Sequence, residues 1–361
     1  VTNDKFKWSD VRFVSFEKAK ELERSSVRIG DILMVKIGSI GHSAIVDDLN
    51  QYDYAIIPAN LLKIDIDKTK SITEYIYYYL TSNEGKSRLI KEASSTAQPA
   101  LTLGKIKNFK IPIPPLEEQK KIVEVLSSIE ECCKRINHKI SKLINLRDCV
   151  QSNFIPNKKN QSFLKCKELS LNSFCERVLR NSSNNVKDVL TISSTQGWID
   201  QKRKWSRNMA GKSIENYILL KKGEFSYNKG NSKTYPQGCV FRLDQWQEAL
   251  VPNVYHSFRI NNEIVDSDYL QVFFASGGLN EDLRKVITSS VRGNGLLNIT
   301  ANTFFNQTIM LPSLSDQRNI AKRIINLNSQ IESLKNKLSK IEFLKQSIIQ
   351  EILSGRKRIT I

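Results

Sequence analysis

Catalytic signatures are scarce in this chain. Its 361 residues contain no Walker A loop, no Gly-x-Gly-x-x-Gly and no His-Glu-x-x-His, so the familiar phosphate-cradling loops and the helical zinc-protease motif are not in view. Val291-Arg292-Gly293-Asn294-Gly295 is glycine-rich but lacks dinucleotide-loop spacing, and is read as a flexible recognition loop. Histidine is limited to His42, His138 and His256, none with a convincing nucleophile nearby in sequence. Spatial triads stay open at this stage. The six cysteines, Cys132, Cys133, Cys149, Cys166, Cys175 and Cys239, show no paired metal spacing. They are read as reduced thiols packed as small hydrophobes, with no metal site. Long apolar runs are missing too. No stretch of about 18 apolar residues exists, so no membrane-spanning helix is expected. Val1 to Lys5 does not resemble a signal peptide, and without an initiator Met the chain is read as a fragment or a processed product.

Acidic charge is in deficit. Lys and Arg total 55 against 37 Asp and Glu, a net charge of +18. Such an excess favours a polyanionic partner, nucleic acid or an anionic membrane. Its distribution favours the first. Lys202, Arg203, Lys204 and Arg207 surround Trp205, and Lys221, Lys222, Lys229 and Lys233 follow among Asn228, Asn231 and Tyr235. Cations neutralise phosphates and amides read base edges, which is the mixture that sequence-specific DNA binding needs.

What is present in abundance is repetition. Apolar residues recur at Ile122, Leu126, Ile129, Cys133, Ile136, Ile140 and Leu143, spaced alternately by four and three. Adding 198 to each number gives Ile320, Ile324, Leu327, Ile331, Leu334, Leu338 and Ile341. The interruption repeats as well, at Arg147 and Lys345. One helix cannot bury a heptad seam alone, so the two are expected to bury each other. Upstream, Ala55-Ile56-Ile57-Pro58 matches Ala249-Leu250-Val251-Pro252, and Thr73-Glu74-Tyr75-Ile76 matches Ser267-Asp268-Tyr269-Leu270. The offset drifts from 193 to 198 in one direction, as short loop insertions produce. The period is far above that of stacked repeats, which excludes a solenoid.

Residues 29–64 read as short strands, with turns at 38–43 and 47–53. Residues 71–93 read as one or two helices capped by Ser71 or Thr73, and a polar stretch follows over 93–100. Prolines keep 111–115 extended. A long helix then runs from Leu116 to Phe154, about 60 Å at 1.5 Å per residue. The second copy repeats the scheme, with strands over 186–260, helices over 266–287 and a second long helix ending near Gly355. Glu117 and Glu118 sit where acids favour the helix dipole, Asp47 and Asp48 mark a turn, and Glu130 with Glu131 reads as a solvated face. The second copy has more than 60 residues between its linker and Gly223, whereas the first has 29 before Gly30. The first copy is therefore expected to lack about 30 residues at its start and to fold loosely or bind DNA without specificity.

The chain resembles the specificity subunit of type I restriction-modification systems. The resemblance is carried by Ile111-Pro112-Ile113-Pro114-Pro115-Leu116-Glu117-Glu118-Gln119-Lys120-Lys121-Ile122, by its degenerate copy from Leu311 to Ile320, and by Gly30-Asp31-Ile32-Leu33 with Ile37-Gly38-Ser39-Ile40-Gly41. It implies an α+β chain with two α/β target recognition domains separated by two long antiparallel coiled-coil helices in a pseudo-two-fold duplication. The implied divisions are a first recognition domain over 1–115, a central helix over 116–157, a second recognition domain over 158–313 and a C-terminal helix over 314–361. It further implies a split, asymmetric duplex DNA target, two methyltransferase subunits per chain, and restriction subunits. The chain itself is expected to be non-catalytic and without cofactor, with S-adenosylmethionine, ATP and magnesium serving the partner subunits. The expected location is cytoplasmic. By type and position, the DNA-contacting candidates are Lys36, Ser39, His42, Ser94, Thr96 and Gln98 in the first copy. In the second they are Lys202, Arg203, Lys204, Arg207, Lys229, Asn231, Lys233, Arg292 and Asn294. A truncated or silent specificity cassette, a coiled-coil nucleic-acid scaffold, and a nuclease or methyltransferase with its own site are the competing readings.

Overall fold

A computed structural model describes residues 11–50, 52–93, 100–156, 165–181, 186, 188–193, 197–201, 215–230, 234–287, 297–353 and 355–358. Contacts divide the chain into two units, Val1–Lys139 with Leu334–Ile361, and Ile140–Ser333.

In the first unit, α1 (Phe16–Glu21) precedes β1 (Ile32–Val35), β2 (Ser43–Ile45) and β3 (Leu61–Ile64). The strand order is β2-β1-β3, antiparallel throughout. Ile32, Leu33 and Met34 in the central strand are all buried, so their continuous apolar run covers both faces. Next come α2 (Thr73–Thr81) and α3 (Asn83–Glu92). The expected cap of α2 is not formed. Ile72 holds the N-cap position without a side-chain bond, because the Ser71 hydroxyl is turned to Gln119, 2.9 Å away. Ser82 divides the two helices by accepting from the Gly85 N–H. Short α4 (Leu103–Lys107), capped by Thr102, leads through the prolines to α5 (Leu116–Phe154).

The second unit contains β4 (Lys167–Ser170), β5 (Cys175–Arg177), β6 (Leu190–Ser193), β7 (Gly197–Asp200), β8 (Ile218–Lys221), β9 (Phe225–Asn228), β10 (Cys239–Arg242), β11 (Glu248–Val251) and β12 (His256–Ile260). After these come α6 (Ser267–Ala275), α7 (Asn280–Val286), α8 (Ala301–Phe305), β13 (Thr308–Leu311) and α9 (Leu314–Leu353), which from Leu334 onward belongs to the first unit. Its main sheet runs β10-β9-β12-β5. The duplication is visible in register. Met34 faces Leu62 and Ile32 faces Ile64; at the repeat offset, Tyr227 faces His256 and Phe225 faces Phe258. Three strand pairings have no counterpart among the described residues of the first unit: β5 on β12, β4 on β13, and β6 on β7.

Within each unit the two long helices meet, seam residues of one lying in a shared core with residues beyond the expected seam of the other. In the first unit, Ile122 and Leu126 share a core with Ile349 and Leu353. Glu118 binds Arg358 and Glu130 binds Lys345. Numbers rise on one helix as they fall on the other, so the pairing there is antiparallel. In the second unit, Ile155 just past α5 shares a core with Ile320 and Ile324, and Arg147 reaches Asn328. Ile136, Ile140, Leu327 and Ile331 are also buried, while Ile129, Leu143, Leu334, Leu338 and Ile341 are half-buried. The interruptions have partners. Lys345 Nζ is 2.6 Å from Glu130 and 5.9 Å from the Tyr78 ring centre. Glu130 is therefore not a solvated face residue: it is half-buried, and it also accepts from the Tyr78 hydroxyl. Nor is Glu118 only a dipole acid. It is 3% exposed and accepts from the Nε and Nη2 of Arg358, one edge of the guanidinium.

Candidate nucleic-acid interface

In each unit the central strand ends in a loop that the chain later rejoins. In the first unit β1 runs out at Val35, and Lys36 follows, half-exposed. The chain then turns through Gly38 and Gly41, both at φ +84°, a conformation that disfavours any side chain. Gly41 donates to the Val35 carbonyl and Val35 donates to the His42 carbonyl, which closes the turn. Ser39 is exposed at its tip and His42 is half-buried where β2 begins. Ile37 bridges Ala100, and the Leu101 N–H donates to the Lys36 carbonyl at 2.8 Å.

The second unit repeats that last bond. The Leu297 N–H donates to the Lys229 carbonyl, also at 2.8 Å. Asn228 shapes the loop by accepting from the Gly230 N–H at 2.9 Å. Gly238 packs over the strand end, where a Cβ would come within 2.5 Å of the Asn228 carbonyl. Beside Lys229, the His256 ring donates from Nε2 to the Ile299 carbonyl, 3.1 Å away. Burial, with smaller repulsion from Lys229 and Arg177, pushes His256 below its ordinary pKa, against that hydrogen bond. It is neutral at pH 7.

Four candidate residues thus have defined places: Lys36, Ser39 and His42 on one loop, and Lys229 on the equivalent loop. Ser94, Thr96, Gln98, Lys202, Arg203, Lys204, Arg207, Asn231, Lys233, Arg292 and Asn294 lie outside the described residues. Their flanks are placed, however. The segment holding Ser94, Thr96 and Gln98 returns at Ala100 beside Ile37, and the one holding Arg292 and Asn294 returns at Leu297 beside Lys229.

Sequence reasoning missed the joint between globular part and helix. Gln119 is fully buried. Its Oε1 accepts from the Ser71 hydroxyl and the Ile72 N–H, and its Nε2 donates to the Lys70 and Pro114 carbonyls. Gln317 does the same in the second unit, accepting from the Asp266 N–H and donating to the Ile264 and Pro312 carbonyls. The signal was available. Gln119 and Gln317 extend each seam by one step of three, which puts a polar side chain on the buried stripe in both copies. Among the described residues, no three His, Cys, Asp or Glu side chains gather as a metal site, and no helix is long and apolar enough to cross a membrane.

The profile of the family described as "Type I restriction modification DNA specificity domain" matches residues 13–146 and 180–343. The putative type I restriction enzyme MjaX specificity subunit of Methanocaldococcus jannaschii is 24% identical, over 99% of this chain and 86% of its own. A crystal structure of a type I restriction-modification S subunit from M. genitalium is similar in fold, with a TM-score of 0.58 at 15% identity, covering 90% of this chain and 83% of that one. A structure solved in work on complex assembly and conformational transition of the type I system gives a TM-score of 0.50 at 15% identity, over 90% and 82% of the two chains. With the profile matched across both copies, the chain belongs to the family of type I restriction-modification DNA specificity domains.

Proposed function

We propose that this chain reads a bipartite, asymmetric duplex DNA target, one half per unit, for a type I restriction-modification complex. The recognition parts are residues 1–115 and 158–313. The helices of 116–157 and 314–361 hold two methyltransferase subunits and the restriction subunits. The family's role is specificity, not catalysis. Adenine methylation with S-adenosylmethionine, and ATP- and magnesium-dependent cleavage, belong to the partners, in the cytoplasm.

One observation carries the reading. Both units end the central strand in a loop whose lysine carbonyl, of Lys36 or Lys229, anchors a returning polar segment at the same distance. The scaffold is equal and the residues that follow each lysine in sequence are not: Ile37-Gly38-Ser39-Ile40 in one, Gly230-Asn231-Ser232-Lys233 in the other. Equal frames with different side chains beside them suit two different half-sites. The net charge of +18 supplies attraction to phosphate that is independent of sequence.

The test is single-molecule methylome sequencing of cells that express the chain with methyltransferase subunits. A gapped motif with unlike halves is expected. Replacing residues 165–311 by the matching part of another family member should change one half and leave the other. An ungapped motif, or a change in both halves, overturns the assignment of one half-site to each unit.

A further inference from the structure

In the first unit an open cleft of about 430 Å³ lies between α3 and α4. Arg88, Lys91, Lys105 and Lys110 line it, and among its described lining residues Glu92 is the one carboxylate. Arg88 is fixed there. Its guanidinium sits 5.0 Å from the Phe109 ring centre, donates to the Lys110 carbonyl at 2.9 Å, and bonds the Tyr79 hydroxyl. Lys105 is tethered to the Glu92 carbonyl at the end of α3. A guanidinium held in one plane loses less freedom on meeting an oxyanion than a mobile one does. Lys91 and Lys110 are exposed on either side of it.

The second unit shows what this surface looks like without those cations. At the repeat offset Arg88 becomes Asp282, Lys105 becomes Thr303 and Lys110 becomes Thr308. Lys91 keeps its charge as Lys285, but Asp282 neutralises it at 3.0 Å. The folds match and the electrostatics do not, so the framework of the unit does not require the basic cleft. The cleft is also continuous with the loop already described. Leu101, bonded to Lys36, is followed at once by Thr102, the cap of α4, and Gly104 and Lys105 reach the cleft.

We infer that this cleft is a phosphate site of the first unit, taking a backbone phosphate of duplex DNA beside the half-site. The inference rests on the DNA-reading function proposed above. Fixed guanidinium and flanking ammonium groups make charge-assisted bonds to phosphate oxygens, and they do so without regard to base sequence. The cleft would add affinity and register to the first unit through bonds that the second does not make at the matching place.

The experiment uses the full chain and a 40-base-pair duplex of arbitrary sequence, with affinity followed against salt. The Lys91→Gln/Lys105→Gln/Lys110→Gln variant should flatten the logarithmic salt slope by about 0.9 for each phosphate that is no longer neutralised. An equal loss of charge on the exposed helix positions, Lys134→Gln/Lys139→Gln/Lys337→Gln, should leave the slope nearly as it was. Thermal melting of both variants reports whether either has lost its fold. For the cleft, the single Lys110→Gln, at an exposed side chain, is the second reading, with a smaller drop in the same direction. Equal flattening by the cleft and helix variants would overturn the inference, since charge alone would then explain it. So would an unchanged slope, including one accompanied by weaker capture of methyltransferase subunits, which would assign the cleft to an acidic protein surface. A wild-type chain with no salt-dependent affinity for duplex would overturn the DNA-reading function as well, whereas the preceding results overturn the cleft alone.

Discussion

At matched register the first unit sets Ile32 against Ile64, and the second sets Phe225 against Phe258. Met34 becomes Tyr227, Leu62 becomes His256, and Ile106 becomes Phe304, whose ring stacks on Tyr227 at 4.4 Å. At these positions aliphatic side chains have been exchanged for aromatic ones with the strand pairing intact. The two sheets therefore share a pattern of buried positions, not a set of side chains. Register follows from which residues must face inward, and a slip of one would turn every inward residue out. The difference lies at the third strand. Phe258 is fully buried in β12, which β5 flanks, whereas Ile64 in β3 is half-buried.

The largest test of this comparison is truncation at that third strand. Phe258→Ala removes a buried ring stacked 5.4 Å from Phe225 and should cost about 3–5 kcal/mol. Ile64→Ala should cost less than about 2 kcal/mol, because part of its surface already meets water. Denaturant unfolding, with hydrogen exchange to assign each loss to its unit, gives both numbers. Equal costs would mean that flanking by a fourth strand does not separate the two sheets.

The next test strikes what the units share. Gln119→Leu and Gln317→Leu each leave a half-buried backbone N–H without its acceptor, of Ile72 and Asp266 respectively. Each should cost about 1–3 kcal/mol. Gln119 should be the costlier, since its Oε1 also serves the buried Ser71 hydroxyl. Exchange of the Ile72 and Asp266 amides should quicken in the respective variants. If Gln317→Leu proves the more damaging, the count of bonds at the joint is the wrong measure of its strength.

The helices and the duplication were legible because they rest on period. A seam of alternating four and three, repeated at a fixed offset, admits few alternatives, and α5 runs from Leu116 to Phe154 as its spacing predicts. The cap of α2 was not legible. Ser71 has a capping side chain in a capping place, but a glutamine 48 residues away claims it, and local sequence carries no trace of that competitor. The solvated reading of Glu130 failed for the same reason, since Lys345 lies across the helix pair. The loop at Gly38 and Gly41 could be read from its glycines. Its junction with Ala100 could not, because a single bridge between distant residues leaves no periodic mark.

The smallest expected effect separates the units by pH. The first unit has Leu62 where the second has His256, so only the second carries a titrating group at that place in the sheet. Burial holds the folded His256 below its ordinary value of 6.5. The unfolded chain takes up the proton near 6.5 while the folded chain does so only at lower pH. Between those two points the unfolded state binds more protons, so stability falls as pH falls. Above 6.5 both states are neutral there and the group contributes no slope. His256→Leu, which copies the first unit, should flatten the decline of the second unit's stability between pH 7 and pH 5 while leaving that of the first unchanged in shape. Protection factors for amides of β9 and β1, measured at both pH values, report the two units separately. A decline that persists in the variant would place the acid sensitivity in other groups, and β9 would then resemble β1 in its response to acid as closely as it does in register.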